Sequence, residues 1–177
     1  MTAEFEALSP TTEVRGNVML AIINGIMHKE VAYSILAKHG ITEIDPERWY
    51  PEQSWLDAFS EIAADLGDSA LYAIGRAIPA VIEIPPDTRT ARDVVEKLDE
   101  IYKMHHRGEA GGYSVTFTGE RSAVVVSRNP RPCSYDMGIL SALIERFNNG
   151  KTVSIRHEDE MCCRKMRYPE CIYIVEW

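Results

Sequence analysis

The chain has 177 residues, a net charge of −8 and 45% apolar residues, a mix that suits one globular domain with its own core. The acidic balance, without a long basic block, weighs against nucleic acid, whose phosphates need a positive face. No apolar run approaches the roughly 20 residues of a membrane span, and the acidic start Met1-Thr-Ala-Glu-Phe-Glu lacks a signal-peptide pattern, so a cytoplasmic location is expected.

Residues 1–12 read as a flexible lead-in, and residues 13–177 as a single ligand-binding domain. From Val14 to His39 apolar residues recur at helical spacing, and Gly40 closes the stretch as a cap. Trp49, Tyr50 and Trp55 fall in a Pro-interrupted segment. Ser54–Leu66 reads as an amphipathic helix stopped by Gly67. The next helix runs from Asp68 through Ile82 with a kink at Pro79. Asp87 or Thr88 opens another, burying Val94, Val95, Leu98, Ile101 and Tyr102.

The pattern changes at Gly108–Gly112. Tyr113–Phe117 and Ala123–Ser127 predict a hairpin. Tyr135–Phe147 predicts a helix, and Lys151–Arg156 and Ile172–Val175 predict two more strands. The expected fold is therefore α+β: a helical part (13–107), then a β-β-α-β-β antiparallel sheet part (108–177).

Three of the four cysteines sit in one loop between the last two predicted strands, spaced Glu160-x-x-Cys163-x7-Cys171 with Cys162 as the surplus thiol. The fourth, Cys133, opens the helix between the hairpins, where the helix N-terminus favours thiolate. Thiolates with a carboxylate or imidazole suit a closed four-ligand metal site. Buried free thiols are the alternative. His157 is close enough to replace Glu160 or to orient it. The other histidines, His28, His39, His105 and His106, read as exposed caps and turn residues.

These features resemble the 4-vinyl reductase domain family, best from about Leu71 to Trp177. Tyr72-Ala-Ile-Gly75 is similar to the family's helix glycine and Ile139–Leu143 to its apolar helix. The resemblance implies a structural zinc held by Cys133, Glu160, Cys163 and Cys171. It also implies a homodimer or a signalling partner protein. The first half, from Val14 to Leu66, resembles haem-based nitric-oxide-sensing domains, which share a related fold. Their Tyr-x-Ser-x-Arg motif is not supplied by Tyr113–Phe117, so no haem is expected. No Gly-rich loop follows a strand, so no nucleotide is expected.

The leading functional expectation is a sensor domain for a small apolar or aromatic ligand, signalling through a partner. The ligand would lie between the Trp49–Ile82 helices and the strands at Tyr113–Ser127. Trp49 and Trp55 are candidates to line it, and Tyr72, Tyr102 and His105 to orient the guest. A four-ligand zinc leaves no open position, and no hydrolase motif is present, so catalysis is not expected. The alternatives are a tetrapyrrole-related enzyme or accessory protein, and a non-catalytic adaptor subunit.

Overall fold

The computed structural model describes residues 4–177. The helical part holds six helices: α1 (Gly16–Gly25), α2 (Lys29–Lys38), α3 (Glu52–Leu66), α4 (Asp68–Ala77), α5 (Ala91–Glu96) and α6 (Leu98–Met104). The sheet part follows the expected order. Strands β4 (Gly112–Gly119) and β5 (Ser122–Arg128) form a hairpin, α7 (Cys133–Phe147) follows, and β6 (Ser154–His157) and β7 (Cys171–Glu176) complete an antiparallel sheet of order β4-β5-β7-β6.

Three short strands were not foreseen. β1 (Glu13–Arg15) pairs with both β2 (Trp49–Pro51) and β3 (His106–Arg107). Together they staple the start of the domain to the end of α6. The helical region expected over Val14–His39 consists of two helices, because Ile26 leaves helical geometry before α2 begins. The predicted kink at Pro79 is a 3-10 turn, Ile78–Ala80. The helix expected from Asp87 or Thr88 starts later, at Ala91. Thr90 and Asp93 form a reciprocal capping box there, which satisfies orphan N–H groups at that end.

Residues of the lead-in make specific contacts. The Phe5 N–H donates to the Pro130 carbonyl at 2.9 Å, and Gln53 bonds both Phe5 and Ala7.

Strand alternation decides which face is buried. Ala123, Val125 and Ser127 of β5 and Cys171, Tyr173 and Val175 of β7 point inward. Helix α7 is buried on two sides. Arg121 bonds Asn148 at its end, and Ser127 bonds its Asp136, fixing it to the sheet. Its other side crosses α4 at close range through paired glycines. A Cβ on Gly75 would lie 2.2 Å from the Tyr135 carbonyl oxygen, and one on Gly138 would lie 2.3 Å from that of Tyr72. Only glycine permits that approach.

Two candidate sites

The interior between the helical part and α7 holds a chamber of about 30 Å³, bordered by Val18, Ile82, Tyr102, His105, Arg131 and Tyr135. It was expected against the strands at Tyr113–Ser127. Of those strands only Tyr113 reaches it, because α7 covers the inner face of the sheet.

Arg131 dominates this chamber. It follows β5 in a proline-bounded run, and its N–H donates to Asn129 Oδ1 at 3.0 Å, which turns the side chain inward. The side chain is only 3% exposed. Its guanidinium stands over the rings of Tyr102 (4.4 Å), Trp55 (5.2 Å) and Tyr135 (5.8 Å), favourable cation–π geometry. It donates to His106 Nε2. Its Nε has no partner. Among the described residues no carboxylate pairs with it. A buried arginine that is paired with a carboxylate is Arg164, with Asp136 at 2.7 Å.

Two histidines behave differently from the exposed caps and turn residues expected of them. His105 and His106 are both buried, because the β3 staple pulls the end of α6 into the interior. His106 Nδ1 donates to the Tyr102 carbonyl at 2.8 Å. Its Nε2 must then accept from Arg131, since guanidinium can only donate. That fixes a neutral tautomer. Burial, helped by the Arg131 charge, holds its pKa well below the usual range. His105 Nε2 faces the Glu83 carbonyl at 3.1 Å and its Nδ1 faces the Asn17 amide at 3.2 Å. Burial lowers its pKa too.

The other ligand candidates are spread out. Trp55 is buried and packs edge-on to Tyr135. Tyr102 stacks on His106 with centroids 4.2 Å apart, and its hydroxyl donates to the Ala110 carbonyl at 2.6 Å. Tyr72 bonds Ser141 at the α4–α7 crossing. Trp49 sits on β2 beneath the Arg107 guanidinium. Trp49, Trp55 and Tyr72 do not border the chamber. Sequence reasoning missed Arg131 and Glu52. The one available signal was an arginine between prolines directly after a strand.

The cysteine site lies on the far side of the α7 N-terminus. The ligand atoms of Cys133, His157 and Cys163 all lie within 4.8 Å of one another. Cys171 Sγ is 3.2 Å from Cys133 Sγ. The four residues come from α7, β6, the connecting loop and β7. Glu160, expected as the carboxylate ligand, has an exposed side chain and is outside this group. Its carbonyl oxygen, rather than its carboxylate, faces Cys163 Sγ at 3.5 Å. The register of β6 against β7 instead pairs His157 with Tyr173, two residues from Cys171. Cys162 is outside the group as well.

Cys133 does open α7, yet its thiol is pushed up rather than down. The hydrogen bond with Cys171 is the main cause, followed by burial. The same bond holds Cys171 down as the thiolate, with help from His157 and Arg164. One proton shared between two thiols outweighs the helix terminus.

A buried network joins the two sites. Arg164, next to Cys163, donates to Asn129 Oδ1 at 2.5 Å and to Asp136 Oδ2 at 2.7 Å. Asp136 also accepts from Tyr113 and Ser127.

Neither a protein-family model nor a curated protein matches this chain, so membership in the 4-vinyl reductase family has no such support. Solved structures do match. An H-NOX protein from S. oneidensis in the Fe(II)NO ligation state aligns over 92% of this chain and 98% of its own, with TM-score 0.71 and 15% identity. An Fe(II) unliganded H-NOX protein from K. algicida aligns over 92% and 95%, with TM-score 0.67 and 13% identity. A third structure, described as "Modulating Heme Redox Potential Through Protein-Induced Porphyrin Distortion", aligns over 92% and 97%, with TM-score 0.62 and 12% identity. The chain has the H-NOX fold, a mixed α+β architecture.

The expected exclusion of haem is overturned by this comparison. It rested on finding no Tyr-x-Ser-x-Arg at Tyr113. The residues Ser127, Asn129 and Arg131 repeat that spacing with its final arginine at the chamber itself.

Proposed function

We propose that this chain is a ligand-binding sensor domain whose ligand carries a carboxylate anchored by Arg131, and that an iron porphyrin is that ligand. One observation carries the reading: a buried guanidinium faces the chamber with no carboxylate hydrogen-bonded to it among the described residues. A buried charge is costly unless paired, and a ligand acid group would supply the missing partner. The likeness to H-NOX structures supports the same reading, and it replaces the small apolar or aromatic ligand first expected.

The donor types present are those an iron porphyrin would use, with both nitrogens of each imidazole hydrogen-bonded in the closed chain. His105 and His106 bring imidazoles to the chamber wall, and Arg131 brings a guanidinium for an acidic side chain. The closed volume does not suit it: about 30 Å³ compares with roughly 300–1,000 Å³ for small-molecule pockets. Binding therefore requires the Tyr102–His106–Arg131 stack to part from the helical wall. The chain's own contribution is to hold that stack closed without ligand and to offer the charge when it opens. The change at α6 and α7 would be what a partner protein reads.

Titration with iron protoporphyrin, followed by visible absorption, tests this. One equivalent is expected to bind with a shifted band, and Arg131→Gln should weaken binding by about 30-fold or more, the cost of leaving one charge of a buried pair alone. Absence of binding would favour the second reading, a non-catalytic adaptor, which the nearly filled interior supports.

The group formed by Cys133, His157, Cys163 and Cys171 is proposed to hold one metal ion of the kind that accepts thiolate and imidazole in a tetrahedron. His157 takes the place that Glu160 was expected to fill.

A further inference from the structure

Glu52 is the strangest side chain in the interior. It is fully buried, and neither carboxylate oxygen has a hydrogen-bond partner. It opens α3, and its backbone N–H is used by the Thr12 carbonyl at 2.9 Å. Trp55, one turn further on, is the residue over whose ring Arg131 sits. The carboxyl and the guanidinium thus face one buried region from two elements, and Arg131 is the charge that acts on Glu52. No hydrogen bond joins them.

We propose that Glu52 is the built-in counter-ion of Arg131, and that a ligand carboxylate displaces it, so that binding drives one solvent proton onto Glu52. This rests on the reading of Arg131 as the ligand's anchor. With no ligand, an ionised Glu52 compensates the guanidinium. When a ligand carboxylate takes Arg131, Glu52 loses that compensation and gains a negative neighbour, and both changes favour its protonated form. The overall exchange is ligand carboxylate plus one proton in, with charge conserved.

Other charged and titratable groups pack around this region. Arg131 stays charged. Burial raises the phenols of Tyr102 on α6 and Tyr135 on α7. His106 is held neutral by burial and by Arg131, and His105 is lowered by burial. Asp136 is paired with Arg164. On the strand side, Glu13 pairs with Arg107 at the surface. Burial pushes the Glu52 carboxyl up to about 7, against the pull of Arg131. The linkage should therefore appear above neutrality.

Two measurements on the full chain test this. The first needs no ligand: carboxyl carbon NMR of labelled glutamate should show one inflection near neutrality, absent in Glu52→Gln. Arg131→Gln should move it upward by about one unit or more, and Arg131→Lys should restore it. No such inflection, or one that ignores Arg131, overturns the counter-ion assignment. The second compares iron protoporphyrin IX with its dimethyl ester, which carries the same iron but no free acid. Above pH 7 the diacid should weaken by up to about tenfold per pH unit relative to the ester. Glu52→Gln should abolish that slope and bind the diacid more tightly than wild type at pH 8.5. Diacid binding that is flat with pH, or a slope surviving in Glu52→Gln, overturns the linkage and leaves the sensor reading standing. Binding of neither compound at any pH overturns both.

Discussion

The cysteine group and the Arg131 chamber flank the same helix N-terminus and are built on opposite principles. In the cysteine group most members come from a short C-terminal stretch, and the Cys133 and Cys171 sulfurs hydrogen-bond each other, while His157 Nε2 is left as the free nitrogen. The chamber draws Tyr102, Arg131 and Tyr135 from separate segments and leaves Arg131 Nε and the Tyr135 hydroxyl unpartnered, as are both oxygens of the buried Glu52. A site that organises itself is suited to hold a structure together. A site with unmet polar groups is suited to meet a guest. Arg164 and Arg131 make the contrast in miniature: two buried arginines, one hydrogen-bonded to Asp136 and one hydrogen-bonded to no carboxylate among the described residues.

The largest effect should come from the cysteine group. Purified tag-free chain is expected to contain one metal ion by elemental analysis. Cys163→Ser or His157→Ala should lose it and lower the melting temperature of the β6–β7 end, because metal affinity there is part of folding free energy. Cys162→Ser and Glu160→Gln should keep it. Retention of metal by His157→Ala would return the fourth position to Glu160.

The two arginines should then separate at pH 6, where Glu52 is mostly protonated. Arg164→Met strands Asp136 in the interior and should cost about 3–5 kcal/mol of stability by denaturant unfolding. Arg131→Met strands no carboxylate and should stay within about 1 kcal/mol of wild type, while still losing the porphyrin. Equal destabilisation would erase the distinction between the sites.

A smaller effect should appear as pH dependence. The Glu52 carboxyl is raised in the folded chain from its ordinary 4.5 to about 7. The folded state therefore keeps a proton that the unfolded state has released. The stability linked to it is fully present below pH 4.5 and is lost as pH rises through 7, by about 3 kcal/mol. Glu52→Gln should remove this fall. A wild-type and variant pair with parallel stability curves from pH 4.5 to 8 would show that Glu52 ionises freely in the folded chain.

Much of the architecture could be read directly from local pattern. The alternation at Tyr113–Phe117 and Ala123–Ser127, the helix through Ile139 and Leu143, and the stop at Gly67 each reflect a backbone preference that acts within a few residues. Cys133, Cys163 and Cys171 stood out for a similar reason, since rare thiols close to a loop are conspicuous wherever the chain goes. Tertiary structure decided what those rules do not reach. His105 and His106 became interior residues because β3 pairs with a strand more than ninety positions away in sequence. His157 rather than Glu160 joined the thiols because β6 pairs with β7 in a register that no residue in the loop specifies. Arg131 and Glu52 are ordinary charged residues in sequence. They became a buried, unmatched pair only because α3, α6 and α7 close around them, and the free energy of a charge depends on what surrounds it in space.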